Sequence, residues 1–169
     1  MDYRIKFNAI RDLADARFAA SVMAEWMGFS VGKSTDLGIP QILEIYNWCS
    51  GPKLTLELAK ELDLEQVMTY CNALQVEAIE CNSVQKEVLE GRLQNIEYIL
   101  TEGDSGLTHL IHGKSQENIL PLLNLVADDV LDEDIKQFSM TCFEAKPDQE
   151  AGEKDFTTFY DFFEGLGVL

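Results

Sequence analysis

Short apolar, strand-like runs alternate with helix-like patterns along the first hundred residues of the chain. Between the runs, apolar side chains recur every third or fourth residue, which is typical of an amphipathic helix. The predicted strands are Arg4–Phe7, Trp26–Val31, Lys53–Leu58, Val76–Cys81 and Ile96–Leu100. Strands separated in this way by helices favour βα units that form a parallel sheet.

The helices between these strands carry recognisable start signals. Asp12 and Ser83 are suited to the N-cap position, and Pro40 is suited to the first turn. The helices are predicted over residues 12–24, 40–50, 64–74 and 83–90. Five strands and four helices therefore follow one another in regular order.

The regular order breaks after the fifth strand. The segment Glu102–Gly106 is a turn that leaves no room for a helix before the next strand, Leu107–Ile111. A helix over Ser115–Val126, a last strand over Gln137–Phe143 and a final aromatic helix from about Asp155 complete the pattern. About seven strands in a single domain of 169 residues fit a shortened TIM-type barrel with one βα unit reduced, or an open doubly wound sheet.

Composition narrows the classes of partner. The formal charge of −17 repels nucleic acids and anionic membranes, so neither is an expected partner. The chain shows no export signal and no apolar segment long enough to span a bilayer, which predicts a cytoplasmic protein. The four cysteines form no C-x-x-C pair, so we expect no structural metal and no cofactor.

Several motifs, in chain order, resemble phosphoribosylanthranilate isomerase. Residues 6–20 and Gly28-Phe29 are similar to that family's K-I-C-G-I strand, its D-A-x-x-A-A helix and its L-G-F strand. Residues 76–82 resemble its fourth strand, residues 112–119 its G-G-L-x-P-E-N-V segment, and residues 152–155 its P-G-x-K-D segment. The resemblance implies a (β/α) barrel, and it reaches both ends of the chain.

The resemblance also implies which residues would carry the family's Amadori rearrangement. That reaction needs a general base and a general acid. The base is the cysteine of K-I-C-G-I, and Asn8 occupies that position here. The acid is an aspartate at a position that Thr101 or Asp104 would occupy. Because a carboxamide is not a base near neutral pH, the resemblance predicts a divergent member without the catalytic cysteine and aspartate.

The family's phosphate cradle is altered as well. Its G-G and S-S-G segments correspond to His112-Gly113 and to Met140-Thr141-Cys142, which keep one glycine of three. Backbone N–H groups at the helix start near Ser115 could still face a ligand. Gly113, Ser115 and Thr141 are therefore candidate ligand-binding residues.

Polar residues at predicted strand ends form a second set of candidates. In parallel α/β folds, sites lie at the carboxyl ends of the strands, where Glu57, Glu80, Glu102 and His112 are placed. The three glutamates and the histidine could bind a divalent cation or a small molecule, or form an acid–base pair with a raised pKa. A slip of one residue in strand phase would instead turn these side chains outwards.

Three functions remain open at this point. The first is a noncatalytic isomerase-like protein that acts as a binding or interaction domain, linked through the resemblance to tryptophan biosynthesis. The second is an isomerase, or another enzyme with altered chemistry, that uses the carboxylates at the barrel mouth. The third is a structural subunit that forms a homodimer, because a reduced βα unit would expose strand edges that a second copy could cover.

Overall fold

The computed structural model describes residues 4–33, 36–61, 63–102, 108–112, 120–121, 124–125, 140–144, 156–165 and 167. No helix among these residues is long and apolar enough to cross a membrane.

The first part of the chain confirms the predicted alternation of strands and helices. Its elements, in chain order, are β1 (Arg4–Asn8), α1 (Leu13–Ser21), β2 (Trp26–Val31), α2 (Ile39–Asn47), β3 (Lys53–Leu58), α3 (Leu64–Ala73), β4 (Ala78–Cys81), α4 (Ser83–Glu90) and β5 (Glu97–Glu102). The predicted bounds of β2 and β3 are confirmed without change.

Local capping explains where these helices begin. Asp12 Oδ1 accepts a hydrogen bond of 3.0 Å from the backbone N–H of Asp15, which confirms the predicted cap of α1. The cap of α4 is Asn82 rather than the predicted Ser83, because Asn82 Oδ1 accepts from Gln85 N at 2.8 Å and Gln85 Oε1 accepts from Asn82 N at 3.1 Å. This reciprocal pair satisfies two N–H groups at the helix start.

The second part of the chain changes direction after β5. It contributes β6 (Thr108–His112), β7 (Leu120–Pro121), β8 (Asn124–Leu125), β9 (Met140–Glu144) and α5 (Thr157–Gly165). β6 pairs antiparallel to β5, with Thr101 opposite His109. The short connection predicted at Glu102–Gly106 accounts for this direction, because a parallel strand would need a longer crossover.

The predicted helix over Ser115–Val126 is wrong for the residues that the structure describes there. Leu120–Pro121 and Asn124–Leu125 are strands. Pro121 gives a physical reason, because proline in a helix interior removes a hydrogen bond and clashes with the preceding turn. On the sheet, β7 lies at the edge, which is where a strand proline is tolerated.

The sheet has the order β7-β6-β5-β4-β3-β2-β1-β9-β8. Strands β1–β5 are parallel and curl into half of a barrel, and β9 pairs parallel to the free side of β1. Closure into a barrel of about seven strands stays a prediction. On the outer face of the curl, side chains such as Phe7, Phe29 and Leu56 form the core against the helices.

The inner face of the same strands carries polar side chains, because neighbouring residues of a strand point to opposite faces. In register, Ser30 of β2 lies beside Glu57 of β3, which lies beside Glu80 of β4. Lys6 of β1 lies beside Trp26 of β2. The pairing thus brings polar groups from four strands, three of them charged, to one side of the sheet.

Candidate functional site

A buried lysine lies at the centre of the inner face. The side chain of Lys6 is fully buried, and its Nζ lies 3.0 Å from Glu57 Oε1 and 2.7 Å from Glu80 Oε2. The same Nζ donates a hydrogen bond to the carboxamide oxygen of Asn8. An ammonium group has three N–H donors, so these three oxygens match it in number.

Glu57 connects this lysine to two neighbouring strands. Its Oε2 accepts a hydrogen bond from Ser30 Oγ at 2.9 Å, and both carboxylate oxygens lie 3.1 Å from the backbone N of Ala9. We call Lys6, Asn8, Ser30, Glu57 and Glu80 the Lys6 cluster. It lies at the carboxyl ends of β1–β4, which is the edge at which parallel α/β folds build their sites.

Two backbone features make room for Glu57. Gly28 lies directly beneath it, and a Cβ at this position would lie 1.8 Å from Glu57 Oε1. Ala9 follows β1 with a φ of 53°, a left-handed conformation that costs a residue with a side chain roughly 1–2 kcal/mol. In this conformation the backbone N–H of Ala9 donates a hydrogen bond to the Glu57 carboxylate. The carboxylate thereby fixes the backbone just after the end of β1.

The charged side chains of the Lys6 cluster are largely buried, which costs free energy, but they are closely paired with one another. Burial raises the pKa of the Glu57 carboxyl, and this effect outweighs the opposite effect of the Lys6 ammonium, while the Glu80 carboxylate adds to the rise. Buried charges of this kind are stable only when they are paired and hydrogen-bonded. Chemically, the arrangement can hold a proton or present carboxylate oxygens to a ligand.

Some of the residues predicted from the sequence meet in this cluster. Glu57 and Glu80 lie together as expected, and Asn8 joins them through Lys6. Lys6, which was not among the predicted site residues, lies between the two glutamates. Which ligand, if any, they bind stays a prediction.

Other predicted residues lie elsewhere. The Cα of His112 pairs with that of Tyr98, the second residue of β5, whereas Glu80 pairs with the next residue, Ile99. Because β6 runs antiparallel to β5, the last residue of β6 lies beside the start of β5 and not beside its end. Thr101 and Glu102 end β5, on the same edge as the cluster.

The remaining candidates belong to the later part of the chain. The Cα of Thr141 in β9 pairs with that of Ile5 in β1. Gly113, Ser115 and Asp104 lie outside the described residues. Their predicted roles in ligand binding or catalysis therefore stay predictions.

Lys6 is a site residue that was not predicted from the sequence. The sequence did indicate such a role, because Lys6 lies in β1, which was predicted within a parallel sheet. Both faces of a strand in such a sheet are covered. A lysine in such a strand must find carboxylate partners across the sheet. Among the described residues, no group of three or more His, Cys, Asp and Glu side chains is placed to hold a metal ion.

The ion pair with Lys6 leads to a prediction for Glu80. Replacing Glu80 with Gln should lower the free energy of unfolding by about 1–2 kcal/mol, because Lys6 loses one charged partner but keeps Glu57 and Asn8. Urea unfolding followed by tryptophan fluorescence measures this change. Glu65→Gln, at an exposed position on α3, is the control and should change stability by less than about 0.5 kcal/mol. A rise in stability for Glu80→Gln would show that repulsion between Glu57 and Glu80 dominates the pair with Lys6.

Comparison with known proteins gives a likeness of structure only. No protein-family model and no curated protein sequence matches the chain. Phosphoribosyl anthranilate isomerase from Thermotoga maritima is similar with a TM-score of 0.60 and 14% identity, over 96% of this chain and 99% of that one. N-(5'-phosphoribosyl)anthranilate isomerase from Pyrococcus furiosus has a TM-score of 0.65 and 11% identity, over 99% and 100% of the two chains.

A third solved structure, of mutually generated monomers of the dimeric Thermotoga maritima enzyme, has a TM-score of 0.65 and 14% identity, over 99% of this chain and 100% of that one. Identities this low show the fold alone. The chain therefore has the fold of these isomerases, and its own chemistry depends on the residues present in the Lys6 cluster.

Proposed function

We propose that this chain is a noncatalytic relative of phosphoribosylanthranilate isomerase that acts as a binding or interaction domain. The link to tryptophan biosynthesis follows from the names of the structural neighbours and belongs to the same proposal. The observation that carries it is the hydrogen bond from the Lys6 ammonium to the side-chain oxygen of Asn8. Asn8 stands where the resemblance places the general base.

Two physical arguments support the loss of the isomerase reaction. A carboxamide cannot take up a proton near neutral pH, and the Asn8 oxygen is already engaged by a cation. Nearby, Glu57 is the carboxylate best placed to replace the missing base. Its oxygens accept hydrogen bonds from Lys6, Ser30 and Ala9, which hold it within the sheet.

The direct test is conversion of phosphoribosylanthranilate, followed by the fluorescence of the anthranilate ring. We expect a rate more than about a hundredfold below that of the Thermotoga maritima enzyme, because a general acid and a general base each contribute on the order of 10²–10⁴. The Thermotoga maritima enzyme in the same buffer is the positive control. A rate within a hundredfold of it would overturn the noncatalytic proposal.

A second candidate function is an enzyme of altered chemistry. The raised pKa of Glu57 favours it, because perturbed carboxyl groups at strand ends are typical of acid–base sites. The same assay separates the two candidates when it includes Glu57→Gln. Turnover that is present in the natural protein and lost in Glu57→Gln would assign Glu57 a catalytic role.

A further inference from the structure

A groove of about 270 Å³ lies on the outer side of the sheet, between the start of α1 and one face of α2. Its apolar wall consists of Leu13, Leu37, Ile45 and Trp48. Trp48 is 68% exposed, which is unusual for a large aromatic side chain. No member of the Lys6 cluster lines this groove, so it is a separate site. We call it the α1–α2 groove.

Two opposite charges line the α1–α2 groove without pairing with each other. Arg11 lies before α1 and Glu44 lies on α2, and both side chains are exposed. Within the part of the chain that the structure describes, neither side chain has an ion-pair partner. The two other polar groups are used locally, since Asp12 caps α1 and Gln41 accepts a hydrogen bond of 2.7 Å from Gly38 N.

An unpaired cation and an unpaired anion on one apolar groove are complementary to a ligand that carries both charges. We propose that the α1–α2 groove binds a zwitterionic α-amino acid with a large apolar or aromatic side chain. Arg11 takes the carboxylate, in the geometry that guanidinium groups favour, and Glu44 takes the ammonium group. The ligand side chain packs against Trp48 and Ile45.

The size and the polarity of the groove agree with this class of ligand. Pockets for drug-sized ligands begin at about 300 Å³, so 270 Å³ suits a single amino acid. A phosphorylated ligand fits less well, because it would bring two negative charges towards Glu44 and Asp12 on a chain with a formal charge of −17. The proposal rests on the binding role proposed above and assigns it a ligand class and a place.

The test is a titration of the full chain with L-phenylalanine, followed by the emission of Trp48 and by calorimetry. Trp26 is fully buried, so a change in emission reports on Trp48. We expect saturable binding with a Kd of about 1 mM or below, which corresponds to the modest affinity of a small ligand. Phenethylamine and hydrocinnamate, which each lack one of the two charges, should bind at least about tenfold more weakly.

Substitutions of the two charged groove residues test whether the ligand binds in the α1–α2 groove. Arg11→Gln and Glu44→Gln should each weaken binding at least about tenfold, whereas Arg92→Gln and Glu87→Gln, at exposed positions on and just after α4, should leave it unchanged. Absence of saturable binding by both methods up to about ten times the expected Kd would overturn the proposal. Equal binding of the three compounds, or natural affinity in both groove variants, would overturn it too. None of these results would alter the isomerase assay, so the two proposals fail separately.

Discussion

Replacing Lys6 with Met should lower the free energy of unfolding by about 3–5 kcal/mol, because it leaves two largely buried carboxylates without their cation. Methionine fills much of the same volume, so the loss reports the missing charge more than a cavity. Urea unfolding at neutral pH, followed by tryptophan fluorescence, measures the effect. Lys53→Met is the matched control, since Lys53 pairs with Glu25 at 3.2 Å on a partly exposed surface and should contribute about 0–1 kcal/mol.

The pH dependence of the stability of Lys6→Met distinguishes the loss of the charge from a loss of packing. Burial already raises the pKa of Glu57 in the folded protein, and loss of the Lys6 ammonium, which lowers it, should raise it further above the value in the unfolded chain. A carboxyl whose folded pKa is raised favours the fold below the unfolded pKa, about 4.3, and this contribution is lost as the pH rises through the folded pKa. The deficit of Lys6→Met should therefore be smallest near pH 4–5 and largest at neutral pH. A deficit that is below about 1 kcal/mol, or equal at both pH values, would contradict this account.

Gly28→Ala should cost about 2–3 kcal/mol of stability. The added Cβ would lie 1.8 Å from Glu57 Oε1 and 2.9 Å from Lys6 Nζ, so Glu57 must rotate away and lose its hydrogen bonds. Thermal and urea unfolding measure the change. Gly91→Ala is the control, because nothing lies within 4 Å of that Cβ and its φ of −78° suits any residue.

A double-mutant cycle tests the mechanism of the Gly28 effect. If the collision with Glu57 is the cause, the cost of Gly28→Ala should fall below about 0.5 kcal/mol in a Glu57→Ala background. An unchanged cost in that background would place the cause in the backbone of β2. The cycle therefore distinguishes the position of Glu57 from any general intolerance of a side chain at residue 28.

Secondary-structure elements could be predicted where glycine and proline residues mark their ends. β3 is preceded by Gly51-Pro52, and both β2 and β3 are short apolar runs, so their bounds could be predicted without change. The cap of α4 differs by one residue, because Asn82 and Ser83 are both good N-cap residues and only the pairing with Gln85 decides between them. The missing crossover after β5 was visible in the turn at Glu102–Gly106.

The candidate site was only partly predictable. Glu57 and Glu80 could be placed at strand ends because parallel strands share an edge. The contribution of Lys6 depends on the register between β1 and β3, and a sequence does not fix that register. The place of His112 was not predictable for a related reason, since it depends on the direction of β6, which pairing with β5 decides.

The pairing of β1 with β9 affects how the chain folds during synthesis. Strands β1–β5 emerge in the order in which they pair, so each new strand adds to its predecessor by local contacts. The other side of β1 stays uncovered until Met140–Glu144 has been made, since those residues supply its second neighbour. An uncovered strand edge is a template for pairing with another chain. On the ribosome, this side of β1 is therefore where we expect chaperones or a second nascent chain to bind.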